Sequence, residues 1–252
     1  MKLVSTADAA PEVSPEDFSE ILAQTRQFIR TAVVPREQEI LAEDRVPDDL
    51  RAHAKDMGLF GYAIPQEWGG LGLNLAQDVE LAMELGYTSL ALRSMFGTNN
   101  GIAGQVLVGY GTDEQKSTWL ERIASGEVVA SFALTEPGAG SNPSGLRSKA
   151  VRDGHGTDSA WVINGQKRFI TNAPNADLFV TFARSRPADD KGAGIAVFLV
   201  PADAPGVEVG VKDKKMGQEG AWTADVTFTD VRVPDSALVG GTEDIGYRAA
   251  MT

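Results

Sequence analysis

The chain has 252 residues, of which 42% are hydrophobic and 23% charged, and its formal net charge is −12. This length and composition predict one or two ordinary globular domains. The absence of cysteine excludes disulfides, thiolate nucleophiles and cysteine zinc sites, and the chain's 2 histidines are too few for most histidine metal clusters. No metal is therefore expected, and the excess of negative charge argues against binding of nucleic acid.

Neither a membrane segment nor a targeting segment is predicted. No apolar run approaches the ~20 residues that a membrane-spanning helix needs. The stretch from Met1 to Val13 contains Lys2 as its only basic residue and lacks the apolar core of a secretory signal. A cytoplasmic location is therefore expected.

The first half of the chain has apolar residues at helical spacing. Ser14 and Pro15 are typical of a helix N-cap and first helical position, and Pro35 should end or kink the helix that they begin. The loop over residues 64–72 is too rich in glycine and proline for regular structure. Further helices are predicted over residues 47–58, 74–86, 90–108 and 112–126. The pattern predicts an all-helical domain over residues 1–127.

After Gly126 the helical period gives way to short runs rich in β-branched and aromatic residues. Asn164 and Gly165, which lie between two of these runs, are the pair that a type I′ hairpin turn favours. Strands are predicted over residues 128–134, 146–151, 161–163, 166–170, 178–183, 195–200, 207–211, 224–228 and 231–233. The predicted fold class is α+β, with a β-barrel or sandwich domain over residues 128–240.

Two polar motifs lie at strand ends in this second domain. One is the loop from Leu134 to Asn142, with the sequence Leu-Thr-Glu-Pro-Gly-Ala-Gly-Ser-Asn, and the other is the segment Arg168-Phe-Ile-Thr-Asn172. Backbone amides freed by glycines, together with threonine and serine hydroxyls, can hydrogen-bond a flat heterocycle and its phosphates. Glu136, which precedes a proline, is expected to fix the loop as a hydrogen-bond acceptor rather than to act as an acid or base.

The two motifs, in this order and behind a helical domain, resemble the acyl-CoA dehydrogenase family. Supporting phrases occur at residues 65–72, 111–116 and 230–234. Several phrases in the right order are more specific than one glycine-rich loop, which could be a simple turn. The resemblance implies FAD as the cofactor and α,β-dehydrogenation of an acyl-CoA thioester, by proton abstraction and hydride transfer to flavin N5.

The resemblance also implies which residues contact the ligands. Ser141 would touch both cofactor and substrate, and Thr171 would lie near N5. Phe96 would contact the acyl tail, unless the small residues of its helix serve only helix packing. Phe169 stands where the family often has tryptophan, which leaves the acceptor open between an electron-transferring flavoprotein and another oxidant. The implied cofactor-binding residues are Phe132, Leu134, Thr135, Gly140, Ser141, Phe169, Ile170 and Thr171.

In the family a third, helical domain follows the β-domain, and residues 241–252 would be its beginning. That domain normally supplies the catalytic base, so no catalytic residue is identified in this sequence. The expectation is a fragment or split subunit that is inactive alone and acts in a homo-oligomer or heteromer. Two alternatives stay open: a flavin monooxygenase or oxidase of the same fold, and a non-catalytic scaffold subunit.

Overall fold

The computed structural model describes residues 13–154, 159–187 and 194–251. The helices come first along the chain. They are α1 (Pro15–Phe28), α2 (Glu37–Glu43), α3 (Asp48–Asp56), α4 (Leu75–Leu85), α5 (Leu90–Gly97), α6 (Ala103–Tyr110), α7 (Asp113–Ala124) and, after the strands, α8 (Gly246–Ala250). The strands are β1 (Ala130–Ala133), β2 (Lys149–Asp153), β3 (Ala160–Thr171), β4 (Leu178–Arg184), β5 (Ile195–Pro201), β6 (Val207–Val209) and β7 (Thr223–Pro234).

Pro35 changes the helix that begins at Pro15, as its sequence position predicts. Because proline has no N–H and its ring crowds the carbonyl four residues earlier, an α-helix cannot continue unchanged through it. The chain adapts through a π-helical turn over Ile29–Val33 and a 3₁₀ turn over Val34–Arg36 before α2. The break is therefore a distortion spread over two turns rather than a sharp stop.

The helix predicted over residues 90–108 is interrupted in its middle. A π-helical turn, Thr98–Ile102, separates α5 from α6. Thr98, Asn99 and Asn100 in this turn are buried. A π turn aims side chains in directions that an uninterrupted α-helix does not allow, and such turns often occur at functional sites.

The strands form one mixed sheet whose spatial order differs from the chain order. The described pairings run β1–β4–β2–β3–β7–β6, with β5 on β4. β1 pairs with β4 in parallel, whereas β2–β3, β3–β7 and β4–β5 are antiparallel. The predicted α+β fold, with a helical domain before a β-domain, is confirmed, and the β-domain is a single curled sheet.

The hairpin predicted at Asn164 and Gly165 is wrong, because β3 runs straight through both residues. The Asn164 side chain bonds across to β7 instead: its Nδ2 donates to Asp230 Oδ1 (3.0 Å), and its Oδ1 accepts from Asp230 N (2.9 Å). Gly165 marks a bulge in the β3–β7 register, and a Cβ there would overlap the Ser148 hydroxyl. Glycine is required here for close approach rather than for a turn.

The helical part and the sheet share one of the hydrophobic clusters. Leu107 of α6, Leu120 of α7 and Val180 of β4 belong to the same buried group. A second cluster lies among α1 to α5, and a third lies on the sheet. The shared cluster fixes the sheet against α6 and α7. None of the helices in the described part of the chain is long and apolar enough to cross a membrane.

Candidate functional site

The two polar motifs meet at one edge of the sheet. Arg168 N donates a hydrogen bond to Thr135 O (2.8 Å), which joins the second motif to the loop after β1. The Ser131 hydroxyl donates to Thr171 O (2.9 Å), which joins β1 to the end of β3. The two motifs therefore form one continuous surface, which we call the rim (residues 132–141 and 168–172).

Glu136 holds the loop of the rim in shape. Its backbone N–H donates to Ala139 O (3.0 Å) and its backbone carbonyl accepts from Ala139 N (3.1 Å), which closes a tight turn. Its carboxylate accepts from Arg147 N (2.5 Å) and Ser148 N (3.0 Å), so it ties the loop to the start of β2. The predicted role of Glu136 as a loop-fixing acceptor is confirmed.

Lys167 lies beneath the rim and is fully buried. Its ammonium group donates to Glu136 Oε1 (2.8 Å), Leu134 O (3.2 Å) and Phe182 O (2.6 Å). Since a lysine ammonium has three donors, this arrangement satisfies it completely. Lys167 cannot be assigned this role from the sequence, because the strand pattern does not show that a lysine pairs with a loop carboxylate 31 positions away.

Burial and pairing shift the titration of both members of this pair. Burial would raise the pKa of Glu136, but the charge of Lys167 and the hydrogen bonds from residues 147 and 148 outweigh it, so the pKa is lowered. Burial lowers the pKa of Lys167 to about 8, although the Glu136 carboxylate acts in the opposite direction. The pair is a structural tie under the rim, since its polar atoms point at each other and at backbone groups.

The implied cofactor residues differ in how much side chain they present. Phe132, Leu134, Thr135 and Thr171 are half-buried, with the Phe132 ring 4.7 Å from that of Phe182. Gly140, Ser141 and Phe169 are exposed, Phe169 by 57% and with a positive φ of 58°. Ile170 is buried, so it presents backbone rather than side chain. The structure brings these residues together on the rim, and their contacts with a cofactor stay predictions.

The groups on the rim suit a flat heterocycle with phosphates. Among the described residues, the hydroxyls of Thr135, Ser141 and Thr171 have no hydrogen-bond partner and are available to a ligand. A Cβ added at Gly138 or Gly140 would meet nothing within 4 Å, so a ligand can approach the backbone there. Unpaired donors beside apolar rings and open backbone are what a flavin requires of its protein.

Asn172 connects the rim to the helical domain. Its Nδ2 donates to Ser94 O (2.8 Å) and to the Thr98 hydroxyl (2.9 Å), at the end of α5 and in the π turn that follows. Asn172 has a positive φ of 62°, which asparagine tolerates better than most residues. The strand end that carries Thr171 is therefore anchored against the helices.

Phe96 lies in the core of the helical domain. It is fully buried, and its ring centroid is 5.7 Å from that of Phe60 and 6.3 Å from that of Tyr62. Helix packing thus accounts for its position. A contact with substrate stays a prediction.

Asn99, which belongs to none of the sequence motifs, ties the helices to the sheet. Its Nδ2 donates to Ile123 O and Val128 O (2.9 Å each), and its Oδ1 accepts from Ala130 N (2.9 Å). A buried asparagine in a helix has no sequence signature that separates it from an exposed one. Its three partners lie at the end of α7 and the start of β1, which places β1, and hence the rim, relative to the helices.

Comparison with known proteins agrees with the geometry. Residues 15–127 match the family model of the acyl-CoA dehydrogenase N-terminal domain, and residues 131–231 match that of the middle domain. The acyl-CoA dehydrogenase of Bacillus subtilis (strain 168) is 31% identical over 226 residues, which are 90% of this chain and 58% of that protein. The chain therefore spans little more than half the length of this relative.

Solved structures give the same result. A glutaryl-CoA dehydrogenase from Mycobacterium smegmatis, solved in complex with FADH2, superposes with a TM-score of 0.83 at 32% identity, over 94% of this chain and 58% of that one. The prolyl acyl carrier protein oxidase AnaB superposes with a TM-score of 0.83 at 26% identity, over 94% and 62%. Both domain models match, and the two motifs form one rim, as their order along the chain predicts. The chain therefore belongs to the acyl-CoA dehydrogenase family.

Proposed function

We propose that this chain forms the flavin-facing part of an FAD-dependent acyl-CoA dehydrogenase. The observation that carries the proposal is the hydrogen bond from Arg168 N to Thr135 O, which joins the two motifs into one rim. The unpaired hydroxyls and open glycines of that rim support FAD as the ligand. The reaction would remove a proton α and a hydride β to the thioester carbonyl of an acyl-CoA.

FAD would supply the acceptor for the hydride, and the residues of this chain would bind and orient it. Phe132 and Leu134 offer an apolar wall, while Thr135 and Ser141 offer hydroxyl donors. Thr171 would donate a hydrogen bond to the ring. Donors aimed at charge that develops in a transition state are worth about 3–4 kcal/mol in oxyanion holes, so Thr171 is the residue with the largest expected effect on rate.

Proton abstraction needs a positioned base, which typically contributes ~10²–10⁴-fold to the rate. We propose that this base belongs to a third domain, as the family resemblance implies, and that this chain alone is inactive. An electron-transferring flavoprotein or another acceptor would reoxidise the flavin. The working assembly would be a homo-oligomer or a heteromer with a cytoplasmic location.

A titration of the purified chain with FAD tests the proposal, with flavin fluorescence and visible absorption as readouts. Saturable binding is expected. Thr171→Val removes the hydroxyl at nearly constant shape and should change the visible band and the reduction potential of the bound flavin. Thr118→Val is the control, because that hydroxyl donates to Glu114 O on α7 (2.7 Å). An absence of saturable binding up to millimolar FAD would contradict the proposal and favour the scaffold alternative.

A second candidate function is an oxidase of the same fold, favoured by the similarity to the prolyl acyl carrier protein oxidase. The two functions differ in how the reduced flavin reacts with oxygen. The FAD complex is photoreduced without oxygen and then mixed with aerated buffer. Slow reoxidation indicates the dehydrogenase, whereas rapid reoxidation indicates the oxidase.

A further inference from the structure

A polar pocket of about 120 Å³ lies where the helical domain meets the sheet. Arg45, Asp48 and Arg51 line it from the helical side, and Asn172, Asn175 and Trp222 line it from the side of the sheet. We call it the junction pocket. Asn172, the last residue of the rim, lies in its wall, but none of the residues proposed to contact FAD does.

Arg51 is the unusual residue of the junction pocket. It is half-buried, and within the described ranges its guanidinium has no carboxylate at ion-pair distance and donates no hydrogen bond. Its Cζ lies 5.5 Å from the ring centroid of Phe60. Burial lowers the pKa of Arg51, and the negative charges of Asp177 and Asp48 oppose this shift without cancelling it. A buried charge normally has a partner, because desolvation is costly.

The carboxylates that face Arg51 are held by other groups. Asp48 lies 3.4 Å from Arg45, and Asp177 accepts a hydrogen bond from Val129 N (2.8 Å). Lys55, one helical turn after Arg51, adds a second positive charge. Asp48 and Asp177 attract Arg51 only from beyond ion-pair distance, so its guanidinium keeps donors that an anion from outside the chain can accept.

We propose that the junction pocket binds a small tetrahedral oxyanion, either free phosphate or the phosphoryl end of a phosphate monoester. The planar guanidinium of Arg51 can meet two phosphate oxygens at once, and the exposed amide of Asn175 can donate at the mouth. The pocket exceeds the ~10–15 Å³ that one water needs and is smaller than the ~300–1,000 Å³ of typical cofactor pockets. Its size therefore suits a single phosphoryl group.

Calorimetric titration with inorganic phosphate, at ionic strength held constant with sodium chloride, tests this site. Saturable binding to the chain is expected. Arg51→Gln should raise the dissociation constant at least tenfold, and Arg51→Lys, which keeps the charge but loses the planar fork, should raise it less. The control is Arg232→Gln, which removes the same charge from an exposed ion pair with Asp153 outside the pocket and should leave the constant unchanged.

A parallel titration with glycerol phosphate separates the two sources of the anion. Tighter binding of the monoester indicates a phosphorylated ligand, and tighter binding of inorganic phosphate indicates the free ion. Asn175→Asp places a carboxylate at the mouth of the pocket and should weaken phosphate binding by repulsion. Because Asn175 is exposed, this variant should fold, and it replaces Arg51→Gln as the test if that variant does not fold. An unchanged dissociation constant in the folded variants, or the same heat with chloride alone, would overturn the proposal.

Discussion

Lys167 is fully buried, which is rare for lysine, and of its three acceptors only Glu136 is charged. Removing one member of a buried ion pair leaves the other without compensation. The loop of the rim therefore depends on a pair whose members are separated by 31 positions along the chain.

Replacing Glu136 by glutamine should lower the free energy of unfolding by about 3–5 kcal/mol, because Lys167 is then either buried as an ammonium without a counter-charge or forced to release its proton. Adding Lys167→Met should recover most of the loss. Urea denaturation of the single and double variants measures this. Glu127→Gln, at an exposed pair with Arg122, is the control and should cost within about 1 kcal/mol. Wild-type stability of Glu136→Gln would contradict the assigned role.

The lowered pKa of Glu136 also predicts an acid dependence. At pH values around and below 4.5, the ordinary pKa of a glutamate, the unfolded chain binds more protons at Glu136 than the folded chain does. The contribution of Glu136 to the free energy of unfolding is therefore present above pH 4.5 and is lost as the pH falls through the lower pKa of the folded state. The urea midpoint of the wild type should fall more steeply on acidification than that of Glu136→Gln. Parallel profiles would show that the group does not contribute.

Single residues were predictable where local sequence decides their role. Glu136 was predicted as a loop acceptor because a proline and glycines follow it. Lys167 and Asn172 were not, because their partners are distant in sequence and only folding brings them together.

At the scale of elements, the π turn between α5 and α6 determines where the sheet begins. Asn99, in this turn, bonds to three backbone groups at the end of α7 and the start of β1. The sequence predicted a helix over residues 90–108 but not its interruption, since apolar spacing hardly differs over one π turn. The hairpin prediction failed because a glycine can be required for close packing as well as for a turn. At Gly165 the requirement comes from the close approach of Ser148, which is distant in sequence.

Replacing Asn99 by leucine, which has a similar volume, should destabilise the protein by about 2–4 kcal/mol. Val128 O and Ala130 N would be left without their partner, and each such group costs ~1–3 kcal/mol, whereas Ile123 O keeps a hydrogen bond from Gly126 N. Chemical denaturation measures the loss, and Asn175→Leu, at an exposed position, should change the midpoint little. An equal effect of the two substitutions would mean that Asn99 does not join the helices to the sheet.

At the scale of the whole molecule, the order of helices, strands and motifs predicted both the fold class and the family. The spatial order of the strands could not be predicted, because the parallel pairing of β1 with β4 joins segments that are distant in sequence. That pairing, with the cluster shared by α6, α7 and β4, brings the two halves of the rim together. The proposed function depends on this arrangement rather than on either motif alone.

The most direct test of the flavin rim is a set of amide NMR spectra of the isotope-labelled chain, recorded during titration with FAD. The proposal predicts that the largest shifts fall on residues 132–141 and 168–172 together and saturate with one dissociation constant. Mapping by residue detects weak as well as tight binding. Shifts confined to other surfaces, or to one of the two segments, would contradict the claim that both motifs hold one flavin.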